Sequence, residues 1–320
     1  MNIVVLDAYV NNPGDLSWAA IEALGTVTFY DRTSHDEVAA RIADAHIAIS
    51  NKITWDAKTL AQAPNLKLIA LTSTGFNVVD LEAARQQGVI VCNVPAYSTP
   101  DVAQMTFALL LELCLHAGDH SRDVMNGAWA RSIDFSYWNT PLIEIAGKTI
   151  GIIGMGSIGQ AVAKVASAFG MEVLFYNRSA KPTCESEHCT QVDLDELLVR
   201  ADIVTLHAPA SPETNGLIDA TALAQMKDGA MLLNTARGAL VNERDVADAL
   251  LSGKLGGFGA DVVAIEPMSA DSPLLEARGT NIVITPHIAW ATTEARTRLL
   301  DTVRANIQAF IDGSPQNVVS

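Results

Sequence analysis

Apolar residues in the first hundred positions alternate between two periodicities. Short runs rich in Ile, Val and Leu fall at 3–8, 27–30, 47–50, 66–71 and 89–94. Between them, at 17–24, 36–45, 57–63 and 81–87, apolar positions recur at helical spacing. That alternation predicts a parallel sheet covered by helices. A longer helix is predicted from Thr99-Pro100-Asp101 through the apolar run 105–115. Threonine suits the N-cap, proline the first helical position, and aspartate the positive end of the helix dipole.

The pattern weakens over 121–145, where Trp129, Phe135, Tyr137 and Trp138 stand among polar residues without clear periodicity. An extended arm packing on something large is the expected form. The strand–helix rhythm then resumes. Strands are predicted at 149–153, 172–176, 203–207, 230–234, 259–263 and 282–284. Helices are predicted at 157–169, at 242–251 behind an Asn242 N-cap, and at 292–311. No Pro-, Gly- or Ser-rich linker separates the halves, so the second domain is read as inserted into the first. The expected domains are 1–98 with 292–320, and 99–291 with the arm at about 120–145.

One turn carries chemistry. The predicted strand at 149–153 enters Gly154-Met155-Gly156-Ser157-Ile158-Gly159, and a helix and a second strand follow. Strand, G-x-G-x-x-G, helix, strand is the dinucleotide-binding fingerprint in the context it requires. Gly154 permits the tight turn, Gly156 leaves the backbone open to a pyrophosphate, and Gly159 lets helix and strand pack closely. The helix N-terminus then presents N–H groups to the phosphates.

Bulk properties narrow the partners. A length of 320 residues, 49% of them hydrophobic, suits two full cores. No apolar stretch is long enough to span a bilayer, and the N-terminus reads as a first strand rather than a signal peptide, so a cytoplasmic location is expected. A net charge of −15 argues against nucleic acid or an anionic membrane as a partner. It does not argue against an anionic substrate, since one arginine and a helix N-terminus set the local field. Cys184, His188 and Cys189 lie together without a fourth metal ligand nearby, and a surface loop with reduced thiols is expected rather than a metal site.

Ligands of open α/β sheets bind beyond the carboxyl ends of the strands. Among residues at or just beyond those ends, Arg237, Glu266 and His287 suit hydride transfer to a keto acid. With these in view the chain resembles the D-isomer-specific 2-hydroxyacid dehydrogenase family. The matching motifs are the glycine turn, Asn-Thr-Ala-Arg-Gly at 234–238, Asp261 with Glu266-Pro267, and Thr-Pro-His at 285–287. Within the family, Pro-His-Ile-Ala-Trp-Ala-Thr from Pro286 and Trp-Asn-Thr-Pro-Leu-Ile-Glu from Trp138 look most like glycerate dehydrogenases, also called hydroxypyruvate reductases.

The resemblance implies two doubly wound parallel-sheet α/β domains, a Rossmann-type nucleotide-binding domain inserted into a flavodoxin-like substrate domain. It implies His287 as the general acid of reduction, Glu266 as the carboxylate that holds its tautomer, and Arg237 as the fork on the substrate carboxylate. Backbone N–H groups at Thr74, Gly75 and Phe76 would hold the other carboxylate oxygen. Asp261 and Thr235 would meet the nicotinamide, with Thr99 nearby, and Ala236 would also bind the cofactor. His207, Ala208 and Pro209 would pass under the adenosine, and Thr214 would also bind the cofactor. A homodimer joined through the aromatic arm is also implied.

The expected reaction is reduction of hydroxypyruvate or glyoxylate by NAD(P)H, with no metal. The alternatives are another 2-keto acid and a nucleotide-sensing corepressor-like protein. One departure bears on the cofactor. NAD-type folds usually end the second strand with an acid that binds the ribose 2′-hydroxyl, whereas this strand ends Asn177-Arg178-Ser179. Arginine and serine there can hold a 2′-phosphate, so NADP(H) is favoured over NAD(H).

Overall fold

The aliphatic runs of the N-terminal segment form strands β1 (Asn2–Val5), β2 (Thr26–Phe29), β3 (Ile47–Ser50), β4 (Leu68–Leu71) and β5 (Ile90–Cys92). They make one parallel sheet in the order β2-β1-β3-β4-β5, the flavodoxin-like order. Alternate side chains enter opposite layers, so Val4 packs with Val38, Ile42 and Leu60, while Ile3 and Val5 meet Ile21, Leu299 and Val303. The last two belong to the C-terminal helix Thr293–Ile311, capped by Thr292, whose Oγ1 accepts from Ala295 N at 3.1 Å. The computed structural model describes residues 1–320, which divide into two compact units, Met1–Ser98 with Trp290–Ser320, and Thr99–Ala289.

The second unit holds β6 (Thr149–Ile153), β7 (Glu172–Tyr176), β8 (Cys189–Gln191), β9 (Ile203–Leu206), β10 (Ala230–Asn234), β11 (Leu255–Ala260) and β12 (Ile282–Ile284). All pairs are parallel, in the order β12-β11-β10-β9-β6-β7-β8. This is the doubly wound nucleotide-binding arrangement, with strands running outward on both sides of β6 and β9. The helix Thr99–Leu115 lies against one face, where Leu109, Leu110 and Leu113 meet Ile150, Ile152 and Leu233. No helix of the chain is long and apolar enough to cross a membrane.

Three segments differ from the sequence reading. β11 occupies Leu255–Ala260 rather than 259–263. Its glycines disguise it, but they are needed for close packing. A Cβ on Gly256 would sit 2.3 Å from the carbonyl oxygen of Gly229, and one on Gly259 would sit 3.1 Å from Cβ of Leu109. The supposed surface loop around Cys184 and Cys189 contains edge strand β8, and Cys189 is buried on it. The arm begins as a helix, Ala117–Met125, set off from the preceding one by His116 in left-handed backbone at φ 48°. None of that helix's residues is buried within the chain, which is why no apolar period announces it.

Candidate active site

In the second unit the strand order reverses between β6 and β9, and the crevice beyond their carboxyl ends is where such a fold takes its ligand. The glycine turn lines it. Gly154 has φ +102°, and its missing Cβ would lie 2.7 Å from the carbonyl oxygen of His207 and from Ala208 N. A Cβ on Gly156 would meet nothing within 4 Å, while one on Gly159 would lie 2.2 Å from the carbonyl oxygen of Gly154. The helix Ser157–Ala168 starts with no side-chain cap, so the N–H groups of its first turn, including Ser157 and Ile158, face the crevice without a competing acceptor. Open backbone, uncapped N–H groups and a close β9 turn fit a pyrophosphate. The first unit offers a contrast. Its order reverses between β1 and β3, but there Asp7 Oδ2 accepts from Asn51 N at 2.7 Å and from Lys52 N at 3.0 Å. The chain's own carboxylate fills that cradle, and burial raises the Asp7 pKa.

Two of the segments expected at the cofactor adjoin the glycine turn, one beginning at Asn177 and one at His207. Asn177 Oδ1 accepts from the N–H of buried Met155 at 3.2 Å, and its amide donates to Ser179 O at 2.9 Å and Oγ at 3.1 Å. Asn177 thus braces the turn against the end of β7, while Arg178 and Ser179 are exposed. Arg178 lies close enough to Glu213 for its charge to help lower that carboxyl's pKa, after the Ser211 hydroxyl that bonds it. Beyond β9, His207 Nε2 pairs with Thr205 Oγ1 at 2.9 Å, and its Nδ1 is buried without a partner. Desolvation pushes this imidazole down to about 3, so it stays neutral and is no acid–base group near pH 7. Ala208 and Pro209 continue the turn, and the Thr214 hydroxyl closes it by donating to Pro209 O at 2.7 Å.

The residues expected to carry the reaction come from three strand ends. Asn234, the last residue of β10, accepts from Ala236 N at 3.1 Å and donates to Arg237 O at 2.9 Å, forming a bracket that lifts Arg237 out of the sheet. Thr235 is buried, and its hydroxyl lies 3.1 Å from that of Thr106. Gly238 follows because a Cβ there would sit 2.0 Å from the carbonyl carbon of Val263. The Arg237 turn therefore rests directly on the segment leading to Glu266. Val263 N donates to Glu266 Oε1 at 3.3 Å, and Glu266 Oε2 meets His287 Nδ1 at 2.7 Å. His287 itself is held at φ 54°. Left-handed backbone costs a side-chain-bearing residue about 1–2 kcal/mol, so the surrounding hydrogen bonds must over-determine it.

Asp261, at the end of β11, is 1% exposed. Its carboxylate accepts from Thr285 Oγ1 at 2.5 Å, Ile288 N at 2.9 Å and Ala289 N at 2.8 Å. A carboxamide contact would have to share an oxygen with these donors. Thr99 is itself the first residue of the long helix, with Pro100 second, one position inside the cap expected of it. The Thr74 turn belongs to the other unit. There Thr74 Oγ1 donates to Val94 O at 2.8 Å and Ser73 Oγ to Gly75 O at 2.6 Å, which fixes the turn carrying Gly75 and the exposed Phe76.

The 107–289 segment matches the family model described as D-isomer specific 2-hydroxyacid dehydrogenase, NAD binding domain. The chain belongs to the D-isomer specific 2-hydroxyacid dehydrogenase family. It is 47% identical over 323 residues to a hydroxypyruvate reductase of Blautia hydrogenotrophica, covering 100% of both chains. It is 41% identical over 284 residues to a glycerate dehydrogenase of Methylorubrum extorquens, covering 89% of this chain and 88% of that one. The TT0316 protein of Thermus thermophilus has the same architecture, with a TM-score of 0.87, 36% identity and full coverage of both chains. The chain is accordingly an oxidoreductase with a nicotinamide dinucleotide as its cofactor.

Proposed function

We propose that this dehydrogenase reduces a small 2-keto acid, hydroxypyruvate or glyoxylate, to the D-2-hydroxy acid and catalyses the reverse oxidation. The observation that carries the proposal is the 2.7 Å contact between His287 Nδ1 and Glu266 Oε2 in the unit that bears the glycine turn. A bound dihydronicotinamide supplies the hydride that goes to the keto carbon. His287 gives the proton to the carbonyl oxygen. With Nδ1 committed to Glu266, that proton travels on Nε2, and the carboxylate stabilises the imidazolium before transfer. Arg237 forks onto the substrate carboxylate and polarises the ketone. The turn at Thr74, Gly75 and Phe76 is assigned to the other carboxylate oxygen. In oxidation His287 is the base. The names of the two relatives favour hydroxypyruvate and glycerate over larger acids. Stopped-time assays with hydroxypyruvate, glyoxylate, pyruvate and a branched keto acid, followed by chiral analysis, test this. D-glycerate as the fastest-formed product supports the reading; L-product or no turnover with any of the four overturns it.

NADP(H) acceptance belongs to the same proposal. The end of β7 carries no acid, Asn177 is turned into the glycine turn, and exposed Arg178 and Ser179 are left to meet a 2′-phosphate. A homodimer is proposed on the arm, where Met125, Ile133, Phe135 and Trp138 are strongly exposed; Phe135 is 91% exposed. Apolar groups so displayed require a partner surface.

A further inference from the structure

Asp261 accepts hydrogen bonds from four residues of the turn that presents His287, Thr285, His287, Ile288 and Ala289. Its carbonyl oxygen accepts from His287 N at 2.8 Å. Its Oδ1 accepts from the Thr285 hydroxyl before the histidine and from Ile288 N after it, and its Oδ2 accepts from Ala289 N. Asp261 is itself anchored, since its N–H donates to Asn234 O at 3.0 Å, the same residue that brackets the Arg237 turn. The two turns bearing the proposed proton donor and the proposed carboxylate fork are thus tied to one another through Asn234 and Asp261.

We propose that Asp261 is the positioning residue of His287: its carboxylate closes the 285–289 turn, holds the histidine in left-handed backbone, and so commits Nδ1 to Glu266. This role differs from reception of the nicotinamide carboxamide, and it rests on the functional reading above only for its kinetic consequence. A turn closed by one acceptor group has a simple weakness. Asparagine at 261 keeps the shape but presents an N–H₂ where the carboxylate now receives N–H or O–H donors. At least one contact becomes donor against donor, and the turn loosens.

The test uses the full chain with selectively ¹⁵N-labelled histidine and compares wild type, Asp261→Asn and Thr285→Val. The wild-type His287 ring should give a downfield Nδ1–H signal that disappears in Glu266→Gln. In Asp261→Asn that signal should shift or broaden, kcat with hydroxypyruvate should fall about 30-fold or more, and the Kd of NADPH or NADH, read by fluorescence, should change less than about threefold. Thr285→Val removes one donor and leaves the carboxylate in place, so it should move the same ring signal less and lower kcat by about three- to tenfold. If Asp261→Asn does not fold, Thr285→Val alone decides. An unchanged His287 signal together with a tenfold weaker cofactor Kd overturns the proposal and leaves Asp261 as a cofactor contact. The ring signal is read without turnover, so an inactive wild type would refute the functional reading while still judging the clasp.

Discussion

Replacing His207 by glutamine should make the protein less sensitive to acid. The wild-type ring has its Nε2 on the Thr205 hydroxyl and its Nδ1 sealed without a partner. The residue keeps some surface, but its Nδ1 is buried, and desolvation drives the pKa from 6.5 to about 3. The sign follows from linkage. Below pH 6.5 the unfolded chain takes up a proton that the folded chain refuses, so stability falls as pH drops toward about 3. At about pH 4.5 this one group should have removed roughly 2.5 kcal/mol relative to neutral pH. Glutamine places an amide near the position of Nε2 and does not titrate. Urea unfolding followed by tryptophan fluorescence, at about pH 7 and about pH 4.5, should show the variant losing roughly 2.5 kcal/mol less than wild type between the two. Equal losses in both proteins would show that His207 is hydrated or already protonated in the folded state.

Further outcomes concern the site. Arg237→Lys keeps the charge but loses the planar fork, so steady-state kinetics should show keto-acid KM rising sharply and kcat falling; wild-type values would place the carboxylate elsewhere. Arg178→Ala should lower kcat/KM for NADPH far more than for NADH, and Asn177→Asp, which still accepts from Met155 N, should shift preference toward NADH; a wild type that ignores NADPH would reverse this assignment. Sedimentation at micromolar concentration should show a dimer for wild type and a shift toward monomer for Phe135→Asp; a wild-type monomer would remove the arm from assembly.

The alternation of strands and helices was legible because both sheets are buried on two faces and write continuous aliphatic runs. It failed at β11, where Gly256 and Gly259 serve close packing that no local pattern reveals. It failed again at β8, a three-residue edge strand too short to carry a period. In the site, the motifs named Arg237, Glu266 and His287, and the structure joins the last two directly. The supports were harder to see. Asn234 ending an apolar run is a turn signal, yet nothing in sequence shows that it holds both Arg237 and Asp261. Thr285 stands inside a quoted motif, but its bond to Asp261 spans |i−j|=24 and becomes visible only once β11 and β12 pair. Asn177 is visible as the end of a strand, but its hydrogen bonds to Met155 and Ser179, which turn it inward, leave no local signal.

In the proposed mechanism His287, held by Glu266, delivers the proton in keto-acid reduction. The most direct measurement is single-turnover reduction of hydroxypyruvate at about pH 7 by wild type and His287→Ala, each with its cofactor Kd determined separately. In His287→Ala, cofactor binding should stay within about threefold of wild type and the reduction rate should fall by roughly 10²–10⁴-fold. A variant that binds cofactor normally and reduces hydroxypyruvate at a near-wild-type rate would contradict this mechanism.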